Sequence, residues 1–243
     1  MKDIIFVLLL ILLFSGLIIC SASSDNNGQE SPLGAISIKV NGTENAAKIY
    51  PDIKDVNKHL LSTAFSEYNG ILQRKESNKT ITVCIFGAYT ADDIQLTEEF
   101  LNHFNEVSQT LKFNKNVKKE GEGDLWINIL PEKALAALPE EQMDITVHEG
   151  LFGQTLYRVN LSNQVYVNSD LPSMKREHNL IRALLFWLGM TGNSVDPSSI
   201  FSPENDDQIG LSIIDWKALT SLYNPSLKRG MTVSDAKTRL YTT

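Results

Sequence analysis

The chain is poor in the residues that mark most recognisable active sites. Only two of its 243 residues are cysteine, Cys20 and Cys84, and Cys20 closes an N-terminal apolar run. Once that run is removed Cys84 stands alone, which excludes an internal disulfide and makes Cys84 a packed apolar residue rather than a thiol site. Gly-rich phosphate loops, CxxC pairs and Ser-His-Asp or Cys-His arrangements are all missing from the sequence. Basic charge is also in deficit, with Lys and Arg at 22 against 29 Asp and Glu, a net charge of −7 and a pI near 5.2. The cations are scattered and form no stripe for phosphates, so nucleic acid is excluded as a partner. No repeat of 20 to 50 residues is visible.

What is present suffices for one core. The composition is 42% hydrophobic and 21% charged, and a domain size of roughly 150 residues allows one domain or two closely packed lobes. Met1-Lys-Asp followed by the apolar run Ile4 to Ile19, with Cys20-Ser-Ala22 as a small-residue cleavage site, makes residues 1–22 a signal peptide or an uncleaved N-terminal membrane anchor. Either way the chain is expected to be exported, secreted or held at the cell surface. A lipoprotein cysteine fits less well, because bulky Ile19 precedes Cys20. Sequons at Asn41, Asn78 and Asn160 are compatible with export and with glycosylation at surface turns. Residues 23–34, rich in Ser, Asn, Asp and Gly, have the composition of a flexible linker.

The single folded domain is expected over residues 35–243, as a sheet-and-helix lobe (35–194) and a smaller helical lobe (195–243). Ala35 to Val40 alternates as a short strand, and Leu60, Leu61, Ala64, Phe65, Tyr68 and Leu72 form a helical stripe across Asp55 to Gln73. Lys79 to Gly87 is nearly continuous in apolar and β-branched residues, which predicts a central strand covered on both faces. Thr90-Ala-Asp-Asp93 is a capping box opening a long helix whose apolar positions run from Ile94 to Leu111. Leu125 to Leu130 alternates as a strand that Pro131 ends. Lys133 to Gln142 holds at most a short helix, and Ile145 to Gly150 is ambiguous between strand and loop. Leu156–Asn160 and Gln164–Asn168 predict a hairpin, read as the sheet's edge. Ser212-Ile-Ile-Asp215 and Thr232-Val-Ser-Asp235 are two further capping boxes, the first stapled by Leu211 onto Trp216, and Asp215 is most simply a helix cap.

The chain is organised around Lys175 to Ser194. This stretch predicts a long helix from about Ser173, its N-cap, to Leu188, apolar on nearly every side and stopped by Gly189. A sheet ending in a hairpin, then a buried helix closing on Leu188-Gly-Met190, then Ser199-Ile-Phe-Ser-Pro203 and Leu211-Ser-Ile-Ile-Asp215 followed by Leu222-Tyr223, resembles the metzincin clan of zinc endopeptidases. The last 50 or so residues, through Leu222-Tyr-Asn-Pro225 and Leu227-Lys-Arg-Gly-Met231, resemble more specifically a secreted microbial family of unknown function with zincin-like features. The resemblance implies an α+β, zincin-like fold with a mixed twisted sheet, a long helix, a buried central helix and a small helical C-terminal lobe.

It also implies where a zinc site would fall. The first histidine maps to Arg182, the general-base glutamate to Ala183, the second histidine to Phe186 and the third ligand to Gly192, while Phe201 takes the place of the methionine beneath the metal. None of these supplies a ligand or base, and a catalytic zinc needs three N, O or S donors with an open fourth position. The expectation is therefore no catalytic residue, no cofactor and no metal. The chain would be a non-catalytic descendant that binds a peptide or protein in the old cleft or along the edge strand from Tyr157 to Asn168, or an envelope module whose cleft is filled around Phe186 and Phe201. The rival is a metal-dependent peptidase or hydrolase with unconventional ligands drawn from His148, Glu149, Glu177 and His178. Arg182 is expected in a structural ion pair, or holding a ligand carboxylate, and Trp126, Trp187, Tyr157 and Tyr166 in packing.

Overall fold

Four strands that run one way and one that runs against them form the layer on which the other described elements are mounted. The computed structural model describes residues 51–66, 68–119, 121–138, 145–149, 154–160, 163–205 and 208–242. The N-terminal apolar segment, the linker, the strand expected at 35–40 and Asn41 lie outside these residues. Strands β1 (Val83–Gly87), β2 (Leu125–Leu130), β3 (Ile145–Glu149), β4 (Thr155–Asn160) and β5 (Gln164–Asn168) stand in the order β1-β2-β5-β4-β3. The pairs β1·β2 and β2·β5 are parallel, and β5·β4 and β4·β3 antiparallel. The fold is thus mixed α+β.

Two expectations about this sheet are corrected. The apolar strand β1 is outermost in the ladder rather than central. It is nevertheless buried, because Ile85 donates to the Lys118 carbonyl and the Lys118 N–H to that of Val83, so a returning loop covers its edge. Continuous hydrophobicity reports burial, not neighbours. The hairpin of β4 and β5 forms as predicted, but it is interior, with β3 paired outside β4 as the edge. Asn160, in β4, is 9% exposed, so this sequon does not present its side chain at a surface turn, whereas Asn78 is exposed in a bend.

Helix α1 (Ile53–Ala64) is capped by Asp52 and buries Val56, Leu60 and Ala64 along one face. It stops well short of Gln73, because Tyr68, Asn69 and Gly70 all take positive φ and turn the chain. Helix α2 (Ala91–Val107) opens on the Thr90–Asp93 capping box. Short α3 (Glu132–Ala136) follows Pro131 directly. Central helix α4 (Ser173–Leu188) packs against β4, β5 and α2. Its N-cap is Pro172 rather than Ser173, because the Pro172 carbonyl accepts the first helical bond, from the Arg176 N–H at 2.8 Å. Gly189 ends it at φ 105°, with the backbone of Arg74 so near that an added Cβ would lie 2.8 Å from Arg74 Cα. Helices α5 (Ile213–Leu222) and α6 (Val233–Tyr241) both start on the capping boxes foreseen. Helix α5 lies on α1, and the Tyr223 hydroxyl at its end donates to the Leu188 carbonyl at 2.8 Å. That bond ties the C-terminal lobe to the end of the central helix.

Candidate functional site

The middle of α4 places Arg182, Ala183 and Phe186 beneath β3 and β4 and beside the loop carrying Phe201. Ala183, Phe186 and Phe201 are all buried. The Arg182 guanidinium lies over the Phe201 ring at 4.6 Å from its centroid. From above, the His148 ring stacks on Tyr157 at 4.2 Å and meets Phe186 edge-on at 4.8 Å. Tyr157 and His148 are register partners across β3 and β4, which is why they share this face. A cation–π contact and two aromatic contacts therefore occupy the place where the resemblance puts a metal.

Two nitrogens of this cluster are not satisfied. Arg182 Nη1 and His148 Nε2 are both buried and have no hydrogen-bond partner. Burial, and then the nearby Arg182 charge, lower the His148 pKa from 6.5 to about 4, so the imidazole is neutral at ordinary pH. Arg182 is a permanent cation with donors only.

These residues do not fit zinc. Arg182 repels a dication, Ala183 and Phe186 carry no donor, and Gly192 faces elsewhere. Its N–H donates to the Thr63 carbonyl of α1, and a Cβ there would meet Ser66 Oγ at 2.2 Å. Nor does the structure gather the alternative ligands. The His178 Nδ1 lies 2.6 Å from the Gln208 carbonyl. Glu177 accepts from Ser173 Oγ at 2.6 Å, and Glu149 is exposed at the end of β3 beyond a register shift. Among the described residues no three His, Cys, Asp or Glu side chains cluster as a metal site would require.

A second polar centre lies in the interior and was not legible in the sequence. With its proton on Nε2, His59 on α1 donates to Asp215 Oδ1 at 2.8 Å, and its Nδ1 accepts from Ser194 Oγ at 3.0 Å. Ser199 Oγ reaches the same Asp215 oxygen at 2.6 Å, while the Ile200 N–H, Ser212 N–H and Ser212 Oγ reach Oδ2. So the capping residue Asp215 also accepts a histidine and pins the loop before it. Burial works to raise the Asp215 carboxyl, but the donors of His59, Ser199, Ile200 and Ser212 hold it below the usual carboxylate range.

A Ser-His-Asp string thus exists in space although none is evident along the chain. Ser194 is 4% exposed, His59 5% and Asp215 0%. A nucleophile needs an open side and oxyanion donors, and Ser194 Oγ instead accepts the Asp196 N–H at 3.0 Å. The string is a structural latch between α1, the 194–202 loop and α5.

This mixed α+β fold with a buried central helix has no match among family models or curated proteins. Among solved structures, that of myroilysin is similar with a TM-score of 0.38 at 11% identity, covering 64% of this chain and 97% of that one. Among the described residues no helix is long and apolar enough to cross a membrane.

Proposed function

We propose that this is an exported domain of zincin ancestry that has replaced its metal centre with an Arg182–Phe201–Phe186–His148 cluster and serves as a non-catalytic binding or envelope protein. The observation that carries this reading is the placement of Arg182 and Phe186. They sit one turn apart on α4, where the resemblance puts two zinc histidines, and both are engaged in ring contacts rather than open. The position of the third ligand is closed against α1. Export is read from the apolar N-terminal sequence alone, which supports a place outside the cell or at its surface, and membrane contact would come only through that segment if it stays uncleaved. A partner strand would add at β3, the sheet edge beside this cluster, not along the Tyr157–Asn168 hairpin.

The test is elemental mass spectrometry of the full chain, purified without chelator or immobilised metal, alongside peptide-hydrolysis assays with and without added zinc. The expected result is far less than one zinc per chain and no chelator-sensitive hydrolysis. About one zinc per chain with hydrolysis that a chelator abolishes overturns the reading and transfers the site to His148, Glu149, Glu177 and His178.

A further inference from the structure

Arginine is tolerated in an interior when its donors are met, and this chain shows what that looks like. Arg74, 2% exposed, gives Nε to Glu76 at 3.1 Å and Nη1 to the Leu222 and Asn224 carbonyls at 2.6 and 3.0 Å. Arg176 gives Nε to Asp93 at 3.0 Å. Among the described residues Arg182 has no such anion. Its aromatic contact offsets part of the charge from one face, but leaves Nη1 buried and unmet, and the neutral His148 beside it offers a second buried, unmet nitrogen. An unmet donor in the interior costs roughly 1–3 kcal/mol, and more on a charged group, so two unmet nitrogens at one spot describe a place lacking an acceptor. Glu149, the nearest acidic residue along β3, is exposed and makes no ion pair with Arg182. Among the described residues the other arginine with unmet buried nitrogens is Arg158, which pairs in register with Tyr166 on the opposite sheet face from Tyr157.

We infer that Arg182 and His148 form a binding site for a carboxylate, held between the Arg182 guanidinium and His148 Nε2 and walled by Phe186, Phe201 and Tyr157. This rests on the metal-free reading of the same cluster and names what that cleft takes. The guanidinium fork matches a carboxylate in shape and charge. Arg182 and His148 are each partly exposed as residues although Arg182 Nη1 and His148 Nε2 themselves are buried, so the ligand enters by displacing the ring that covers them, and the ring walls favour an acid with an apolar body. The chemistry is common to a free organic acid and to the C-terminus of a peptide. A bound carboxylate also counters the Arg182 charge felt by His148, so the imidazole gains basicity as the site fills.

The experiment is a titration of the full chain, followed by the His148 ring signals in NMR and by calorimetry, with four probes: benzoate, N-acetyl-Ala-Ala-Phe with a free C-terminus, the same peptide amidated, and inorganic phosphate. The site predicts saturable binding of the free-carboxylate probes, an upward move of the His148 titration midpoint, and no response to the amidated peptide. Preference for the peptide over benzoate identifies a chain terminus as the source; the reverse identifies a free acid. R182M should weaken binding at least tenfold and R182K should fall between, because it keeps the charge without the fork. Thermal unfolding of each variant confirms that it is folded. Equal affinity in folded R182M, tighter phosphate than carboxylate binding, or no His148 response to any carboxylate at millimolar concentration overturns the proposal. Each of these outcomes is independent of zinc content, so it fails separately from the reading on which it rests.

Discussion

Two polar centres within one core are built to opposite specifications. Around Asp215 every charged or polar atom that faces inward is met: the carboxylate collects donors from His59, Ser199, Ile200 and Ser212, and His59 passes its other nitrogen to Ser194. Around Arg182 two nitrogens, Arg182 Nη1 and His148 Nε2, are buried among rings and left unmet. The first arrangement is what a structural network needs, since a fully satisfied network rigidifies and a partly satisfied one destabilises. The second has no stabilising logic of its own. The difference teaches where to seek function: in the centre whose donors are still open.

The sharpest test of the contrast is D215A. It removes the acceptor of at least four donors in a fully buried position, leaving His59, Ser199 and two backbone N–H groups unmet. Breaking a buried charge network of this kind costs about 3–5 kcal/mol, which in a domain this size is a Tm loss of roughly 10 °C or more. Calorimetric unfolding measures it. The pH dependence follows from the same geometry, because the Asp215 carboxyl is held below its unfolded value of 3.8. Its contribution is complete above about pH 4 and is lost as pH falls further. A D215A protein as stable as the parent would show that the network is ornament, and would erase the distinction between the two centres.

Much of this frame was legible beforehand, and the reason is that it is local. The bounds of α4, the boxes at Thr90, Ser212 and Thr232, and the β4–β5 hairpin depend on residues within a few positions of each other. What failed was non-local. The strip Val83–Gly87 looks central because it is apolar, yet its outer edge is met by Lys118 rather than by another strand. The ambiguous stretch Ile145–Glu149 becomes a strand only by pairing with β4, and so displaces the hairpin from the edge. His59 meets Asp215 across 156 residues, with no spacing rule to announce it. At the candidate site, Arg182 and Phe186 could be placed from the α4 pattern alone. That His148 would lie over Phe186 could not, since the sequence left it in a stretch ambiguous between strand and loop.

The second test sharpens the contrast through protons. His148 titrates near 4 in the folded chain against 6.5 when free, so the unfolded chain binds more protons between those values. The sign is that stability falls as pH drops from about 6.5 to about 4, and that this loss begins above the range in which the Asp215 contribution is lost. In H148L this slope disappears while the acid unfolding below pH 4 persists. Denaturant unfolding at a series of pH values separates the two windows. A slope unchanged in H148L would place the titrating group elsewhere.

The smallest expected effect is the most discriminating. R182M exchanges a guanidinium for an apolar side chain that still covers Phe201. The substitution forfeits a cation–π contact of about 0.5–2 kcal/mol and relieves an unmet buried donor costing roughly 1–3 kcal/mol. The two nearly cancel, so R182M should be as stable as the parent or up to about 1 kcal/mol more so, with an unchanged denaturant m-value. An arginine kept for structure would behave like Asp215, and its loss would be felt in several kcal/mol. An arginine kept for a ligand leaves the free protein indifferent to its removal, and the difference appears only when ligand is added. A carboxylate that binds the site raises the Tm of the parent with concentration and leaves that of R182M unmoved. If instead R182M loses more than about 2 kcal/mol without ligand, then Arg182 has an intramolecular partner in solution, and both centres are structural.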